Sequence, residues 1–209
     1  MIRIIIADDH TIVREGLKQI ITESPDMMVA GEASDGQELV EKVKKGCFDA
    51  VLLDISMPGR NGIDILKQIK AENPRLPVLM LSMHPEDQYA LRAMKAGASG
   101  YLTKETAPDE LIKAIKKITS GGKYVTSTLA ERLVTVFGGD MEELPHKKLS
   151  DREFEVFLKI AAGKQVSQIA GEMFLSVKTV STYRNRILAK MDMENNAELM
   201  RYAMNNGLI

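Results

Sequence analysis

The sequence of 209 residues has one cysteine, Cys47. A disulfide framework needs pairs, so none is built within the chain. No apolar run approaches the roughly 18 residues of a membrane-spanning helix. The opening stretch Met-Ile-Arg-Ile-Ile-Ile-Ala-Asp-Asp is too briefly apolar for a secretion signal and ends in two acids. The expectation is a cytoplasmic protein with no membrane partner. Internal repeats and low-complexity tracts are lacking, which sets aside solenoids. A Gly-x-x-x-x-Gly-Lys-Ser/Thr loop is lacking too, which argues against a P-loop nucleotide switch. Neither sign of charge dominates: 28 basic residues face 29 acidic ones.

What is present is an ordinary globular composition, 44% hydrophobic and 27% charged, at a length that suits two domains. The charge is spread unevenly. Residues 1–146 carry a net −4 and residues 147–209 a net +3. A mildly acidic front and a mildly basic back fit a regulatory domain joined to a nucleic-acid module.

The front half alternates short apolar runs with helical patterns. The runs lie at 2–7, 27–33, 50–53, 78–81 and 100–102, with helical segments near 10–22, 36–45, 62–72, 86–96 and 108–120. This alternation predicts an α/β doubly wound, five-stranded parallel sheet of flavodoxin-like type. In such a fold, ligands sit beyond the C-terminal ends of the strands. The predicted domains are residues 1–121, a linker over 122–147, and residues 148–209. Glycine pairs and an acidic run mark the linker, and residues 127–137 are expected to form a short helix within it.

After Leu149 the pattern is helical throughout. Ser150 and Glu153 form a capping-box signature. The apolar stripe Phe154, Phe157, Leu158 and Ala161 follows, and Gly163 ends the helix. Three more helices fit 166–173, 177–192 and 196–206. The second domain is therefore predicted as a small all-α, four-helix unit with a helix-turn-helix.

Asp8 and Asp9 follow the first predicted strand and Asp54 the third. Three carboxylates brought to one sheet edge repel, which calls for a divalent cation such as Mg²⁺. Ser82 follows the fourth strand and Lys104 the fifth. A carboxylate nucleophile, a metal, an ammonium and a hydroxyl are what a transferred phosphoryl group requires. Singly, each residue is as readily a turn, a cap or a solvated side chain; jointly they point to a site. His10 is read as local structure without chemistry.

In the helix-turn-helix, an angular projection of 177–192 puts Val180, Tyr183, Ile187, Leu188 and Met191 toward the core. Lys178, Thr182, Asn185 and Ala189 fall opposite, with Ser181 and Arg186 at the margins. A small, polar, partly cationic face suits a groove of acceptors and phosphates. Arg184 falls near the apolar side, where its stem can pack while its head reaches a phosphate.

Three stretches resemble the receiver domains of two-component response regulators, and more narrowly the NarL/FixJ subfamily. They are Ile4-Ile5-Ile6-Ala7-Asp8-Asp9-His10, Leu53-Asp54-Ile55-Ser56-Met57-Pro58-Gly59-Arg60-Asn61-Gly62 and Ala96-Gly97-Ala98-Ser99-Gly100-Tyr101-Leu102-Thr103-Lys104. The back half, with Leu149-Ser150-Asp151-Arg152-Glu153 and Ser176-Val177-Lys178-Thr179-Val180, resembles LuxR-type DNA-binding domains. The resemblance implies Asp54 as phosphoacceptor and Asp8, Asp9 and Asp54 as metal ligands, joined by the Ser56 backbone carbonyl. Lys104 is implied as the phosphate contact, and Ser82 and Tyr101 as switch residues. At DNA it implies Lys178, Thr179, Ser181, Thr182 and Asn185, with Arg184 and Arg186 as further candidates. The implied partners are a sensor histidine kinase, promoter DNA and a second copy of the chain. Receiver pairing is implied near 13–20 and 111–118, and pairing of the DNA domains through the last helix, at Leu199, Met200 and Ala203.

Three departures stand out. Glu105 replaces a common proline, so no cis peptide is expected there. Ser82 replaces a common threonine, and Tyr183 a common histidine. Two rival readings are an aspartyl-phosphate phosphatase and an RNA or protein interaction module. The phosphatase would want an acid two residues after its nucleophile, where His10 and Thr11 stand. RNA readers usually show stacking aromatics, which the outer face lacks. The chain is accordingly read as a transcriptional regulator and not as an enzyme.

Overall fold

The computed structural model describes residues 1–57, 59–83, 86–126, 129–131 and 144–209. It divides into two compact units, Met1–Leu133 and Val134–Ile209.

The first unit is a five-stranded parallel sheet in the order β2-β1-β3-β4-β5. The strands are β1 (Ile2–Ala7), β2 (Met27–Ala33), β3 (Ala50–Asp54), β4 (Val78–Ser82) and β5 (Gly100–Thr103). Between and after them run α1 (Thr11–Thr22), α2 (Gly36–Lys45), α3 (Gly62–Glu72), α4 (Glu86–Lys95) and α5 (Pro108–Thr119). β1, β3 and β4 are near-continuous apolar runs because a sheet covered on both faces leaves no side to water. Ile4, Ile5, Ile6, Leu52, Leu53 and Leu79 are all fully buried, each worth about 2 kcal/mol in apolar transfer. Polar ends then start the helices. Asp35 accepts from the amides of Gln37 and Glu38, and Asn61 from that of Ile63. Pro108 opens α5, with Asp109 and Glu110 in its first turn and Lys116 and Lys117 in its last, each matched to the helix dipole.

The strand order reverses at β1. β2 lies to one side of it and β3, β4 and β5 to the other, so the loops after β1 and β3 splay apart and leave a crevice. Asp8, Asp9 and Asp54 stand at that crevice.

Part of the segment expected as linker lies against β5. The Tyr124 amide donates to Ser99 O at 2.8 Å, and Gly100 and Tyr124 form a parallel bridge. Lys123 Nζ donates to Ala98 O. These bonds cover the start of the outer edge of β5, where the strand would otherwise lie open. Residues 129–131 are helical; most of the short helix expected over 127–137 lies outside the described residues. Pro145–Lys148 forms one 3-10 turn. No cis peptide bond occurs among the described residues.

The second unit has four helices: α6 (Asp151–Ala161), α7 (Val166–Glu172), α8 (Val177–Met191) and α9 (Asn196–Asn205). Ser150 and Glu153 complete the capping box reciprocally, at 3.3 Å and 2.8 Å. Phe154, Phe157, Ile169, Val180, Ile187 and Leu199 are buried and form its core.

Candidate functional site

The acidic pocket is built by strand ends. Asp8 follows β1 directly, and Asp54 closes β3. Asp8, Asp54 and Ser82 are fully buried. Lys104, one residue past β5, reaches in from the sheet edge, its amide held by Ser82 O at 2.8 Å. Its Nζ lies 2.8 Å from Asp54 Oδ2 and 2.6 Å from Asp8 Oδ2. Only the Asp54 contact has hydrogen-bond geometry. Asp8 Oδ2 is therefore close to a positive charge yet lacks a directed donor, and it and Asp9 Oδ1 are buried without a hydrogen bond.

Asp8 Oδ1 accepts from the His10 amide at 2.9 Å, and the Asp8 carbonyl from Arg14 at 2.7 Å. The Ser56 amide donates to Asp54 Oδ1 at 3.2 Å, which places the turn carrying the Ser56 carbonyl at the pocket. Asp8, Asp9, His10 and Asp54 each offer a ligand atom within 4.8 Å of the others. His10 Nδ1 is 2.8 Å from Asp9 Oδ1. The sequence reading takes His10 as local structure without chemistry, and the structure sets its ring beside the same carboxylates. Its position one residue beyond two acids at a strand end was the signal available.

Electrostatics in the pocket is unbalanced. Burial pushes the Asp54 carboxyl above its usual range; the Lys104 ammonium opposes this and the Asp8 carboxylate adds to it. Burial also works against the Lys104 ammonium, but Asp54 and Asp8 outweigh it and raise its pKa. Lys104 thus serves two buried carboxylates, while Asp8 Oδ2 and Asp9 Oδ1 lack hydrogen-bond donors. The donor set is all oxygen apart from one exposed imidazole, which fits a hard divalent cation. Tyr101, in the middle of β5, is buried.

The second site is the outward side of α8. Ser176 caps the helix through the Thr179 amide at 3.0 Å. Val180, Ile187, Leu188 and Met191 are buried, while Lys178, Thr182, Asn185, Arg186 and Ala189 are exposed. Thr179, Ser181, Tyr183 and Arg184 are half-buried. Arg184 is engaged within the unit, since its Nε donates to Asn196 Oδ1 at 2.6 Å, at the start of α9. This bond pins α8 to α9. No helix among the described residues is long and apolar enough to cross a membrane.

Comparison with known proteins identifies both domains. Residues 4–116 match the response regulator receiver domain, and residues 147–203 match the luxR family of bacterial regulatory proteins. The chain is 35% identical over 209 residues to the response regulator UvrY of Escherichia coli K12, covering all of this chain and 96% of that protein. It is 32% identical over 210 residues to the response regulator GacA of Pseudomonas viridiflava, covering all of this chain and 98% of that one. Among solved structures it resembles RcsB of Salmonella enterica serovar Typhimurium, bound to promoter rprA with a phosphomimetic. The TM-score is 0.66 at 29% identity, over 97% of this chain and 98% of that one. Family models cover most of the chain and relatives span all of it, so the chain belongs to the response regulators, with an N-terminal receiver domain and a C-terminal luxR-family domain.

Proposed function

We propose that this response regulator is switched by phosphorylation of Asp54, with a partner histidine kinase as donor, and that the phosphorylated chain pairs and binds promoter DNA. The observation that carries the reading is the buried triad of Asp54, Asp8 and Lys104, with Asp8 Oδ2 and the neighbouring Asp9 Oδ1 left without hydrogen-bond donors.

Asp8, Asp9 and Asp54, with the Ser56 carbonyl, would hold Mg²⁺. When bound, the ion supplies the positive charge that keeps Asp54 ionised and neutralises phosphoryl oxygens. Asp54 is the only one of the three acids that lies on the sheet beside Lys104 and also faces the Ser56 turn. Its carboxylate oxygen forms the new O–P bond as the donor's P–N bond breaks, and the imidazole leaves with the electron pair. Lys104 then moves its charge from the Asp54 carboxylate to the phosphoryl oxygens, as a point charge on a flexible stem. The Ser82 hydroxyl, buried beside the same strand end, donates to the phosphoryl group. Its displacement changes the space next to buried Tyr101, which repacks and carries the signal to the α4–β5 surface. Chemistry in the chain stops at self-phosphorylation and slow self-hydrolysis. In this reading the protein works in the cytoplasm.

The deciding experiment is incorporation from a small phosphodonor with Mg²⁺. Wild type should form a hydroxylamine-labile acyl phosphate. Asp54→Asn should form none, and Asp9→Asn should form it only at raised Mg²⁺. Undiminished labelling of Asp54→Asn would reject the assignment.

A further inference from the structure

The turn of the helix-turn-helix holds a residue that its own fold does not reward. α7 ends in a Schellman arrangement: the Leu175 amide donates to Ala170 O at 2.9 Å and the Phe174 amide to Gly171 O at 3.3 Å. The residue at the bend of this arrangement takes left-handed backbone, and glycine is its usual occupant. Here the bend is Phe174, at φ 54°. A bulky side chain is strained in that region, because its Cβ crowds the following carbonyl. Burial does not offset the strain, since Phe174 is 71% exposed. Val177, the first residue of α8, is 53% exposed. The two flank Ser176, which caps α8, and exposed Lys178 follows directly. Two exposed apolar side chains thus lead into the helix just ahead of Lys178.

We propose that Phe174 and Val177 form an apolar contact surface for duplex DNA, meeting thymine methyl groups in the major groove. The inference rests on α8 being the recognition helix. Recognition helices enter the groove by their N-terminal residues, which brings positions 174 and 177 closest to base edges. The thymine 5-methyl is the apolar feature of the major-groove code, and Phe is among the side chains suited to it. Lys178 beside the pair favours a polyanion over a neutral protein surface. The exposed residues Thr182, Asn185 and Arg186 read polar groups, so the pair adds a kind of readout they do not supply. Strain held at an exposed aromatic is then the cost of presenting it, as at other binding sites.

The test uses the full chain with phosphodonor and Mg²⁺, on a duplex that wild type selects from a random pool. Each thymine is replaced in turn by deoxyuridine, which removes the methyl and keeps every hydrogen bond. At least one replacement should weaken wild-type binding about fourfold, the value of one methyl. Val177→Ala or Phe174→Gly should bind the unmodified duplex more weakly and lose that sensitivity. Phe174→Gly should also raise the melting temperature, because glycine relieves the bend, so weaker binding cannot be assigned to misfolding. Salt-dependent binding that ignores every methyl, or full methyl sensitivity kept in both variants, overturns the proposal alone. Failure of wild type to bind any duplex overturns the DNA reading of α8 as well.

Discussion

Lys104 carries more of the acidic pocket than its position in the sequence suggests. Its Nζ lies within 3 Å of the carboxylates of both Asp8 and Asp54, and both carboxylates are fully buried. Lys104→Ala should leave two buried like charges facing each other. Removing one partner of a buried ion pair costs about 3–5 kcal/mol, and protonation of Asp54 will recover part of it. We expect the receiver to lose about 2 kcal/mol in chelator, by urea unfolding, and to regain most of it with millimolar Mg²⁺. An equal loss with and without Mg²⁺ would show that the lysine acts by packing and not by charge. Gly62 matters at the same scale for a different reason. A Cβ there would stand 2.3 Å from Asp54 O and 2.7 Å from Ile55 Cα. Backbone cannot yield as a side chain can, so the start of α3 closes on the end of β3 only as glycine.

α8 divides its labour by face. Lys178 is exposed at its first turn, while Thr182 and Asn185 lie one and two turns further along. Lys178→Ala should weaken binding to all duplexes alike and reduce the salt slope by about 1. Thr182→Ala and Asn185→Ala should instead relax sequence preference, by roughly 1–3 kcal/mol per lost base contact. Band-shift titrations at several salt concentrations separate the two behaviours. Affinity and preference unchanged in all three would place the groove-facing side elsewhere.

The start of α6 offers a pH handle. Glu153 is buried, which opposes its charge, but Lys190 Nζ at 2.6 Å and the amide and hydroxyl of Ser150 outweigh the burial. Its pKa is held below the usual 4.5. The unfolded chain therefore binds this proton more readily than the folded one. The stabilisation is complete above about pH 5 and is lost as pH falls through the depressed value. Lys190 is 42% exposed, so the pair is worth only about 1 kcal/mol. Glu153→Gln should make melting of the C-terminal unit less sensitive to acid below about pH 5, leaving the share of Glu172, which Lys164 and Lys159 also hold low. A slope that survives the substitution belongs to other carboxylates.

At the scale of the whole molecule the question is coupling. One DNA module reads a short half-site, whereas two present matched surfaces to a two-fold operator. Phosphorylation is expected to raise both mass and DNA affinity together, by biasing an equilibrium that already exists. The resemblance implies pairing along α1 and α5. In the structure Leu111, Ile115 and Ile118 are buried in their own core, so the apolar contribution to such a face falls to half-buried Val13, Leu17, Ile20 and Ile112, rimmed by exposed Lys113, Lys116 and Lys117. Leu199 and Ala203 of the last helix are likewise buried in their unit. Light scattering and DNA titration with and without phosphodonor test the coupling. Unchanged mass and affinity on verified Asp54 phosphorylation would defeat it.

The sequence by itself determined the element order, because strand and helix leave different hydrophobic periods and the runs here are long enough to separate them. Each of β1 to β5 lies where an apolar run ends in a polar residue, and that same coincidence exposed Asp8, Asp54, Ser82 and Lys104. The outer face of α8 was legible for the same reason: 100° per residue is a property of any helix. Only the tertiary structure decided what depends on closure in space. Lys104 meets two acids fifty and ninety-six residues away. His10 turns toward Asp9, and Arg184 is tied to Asn196 at the start of α9. Tyr124 closes the edge of β5 from what reads as linker. Phe174 bends where glycine is usual, and no local pattern reports a backbone angle set by two carbonyls of the preceding helix. Periodicity assigns a side chain to a face, but partners separated by many residues are chosen by packing, and packing is settled only when the chain has folded.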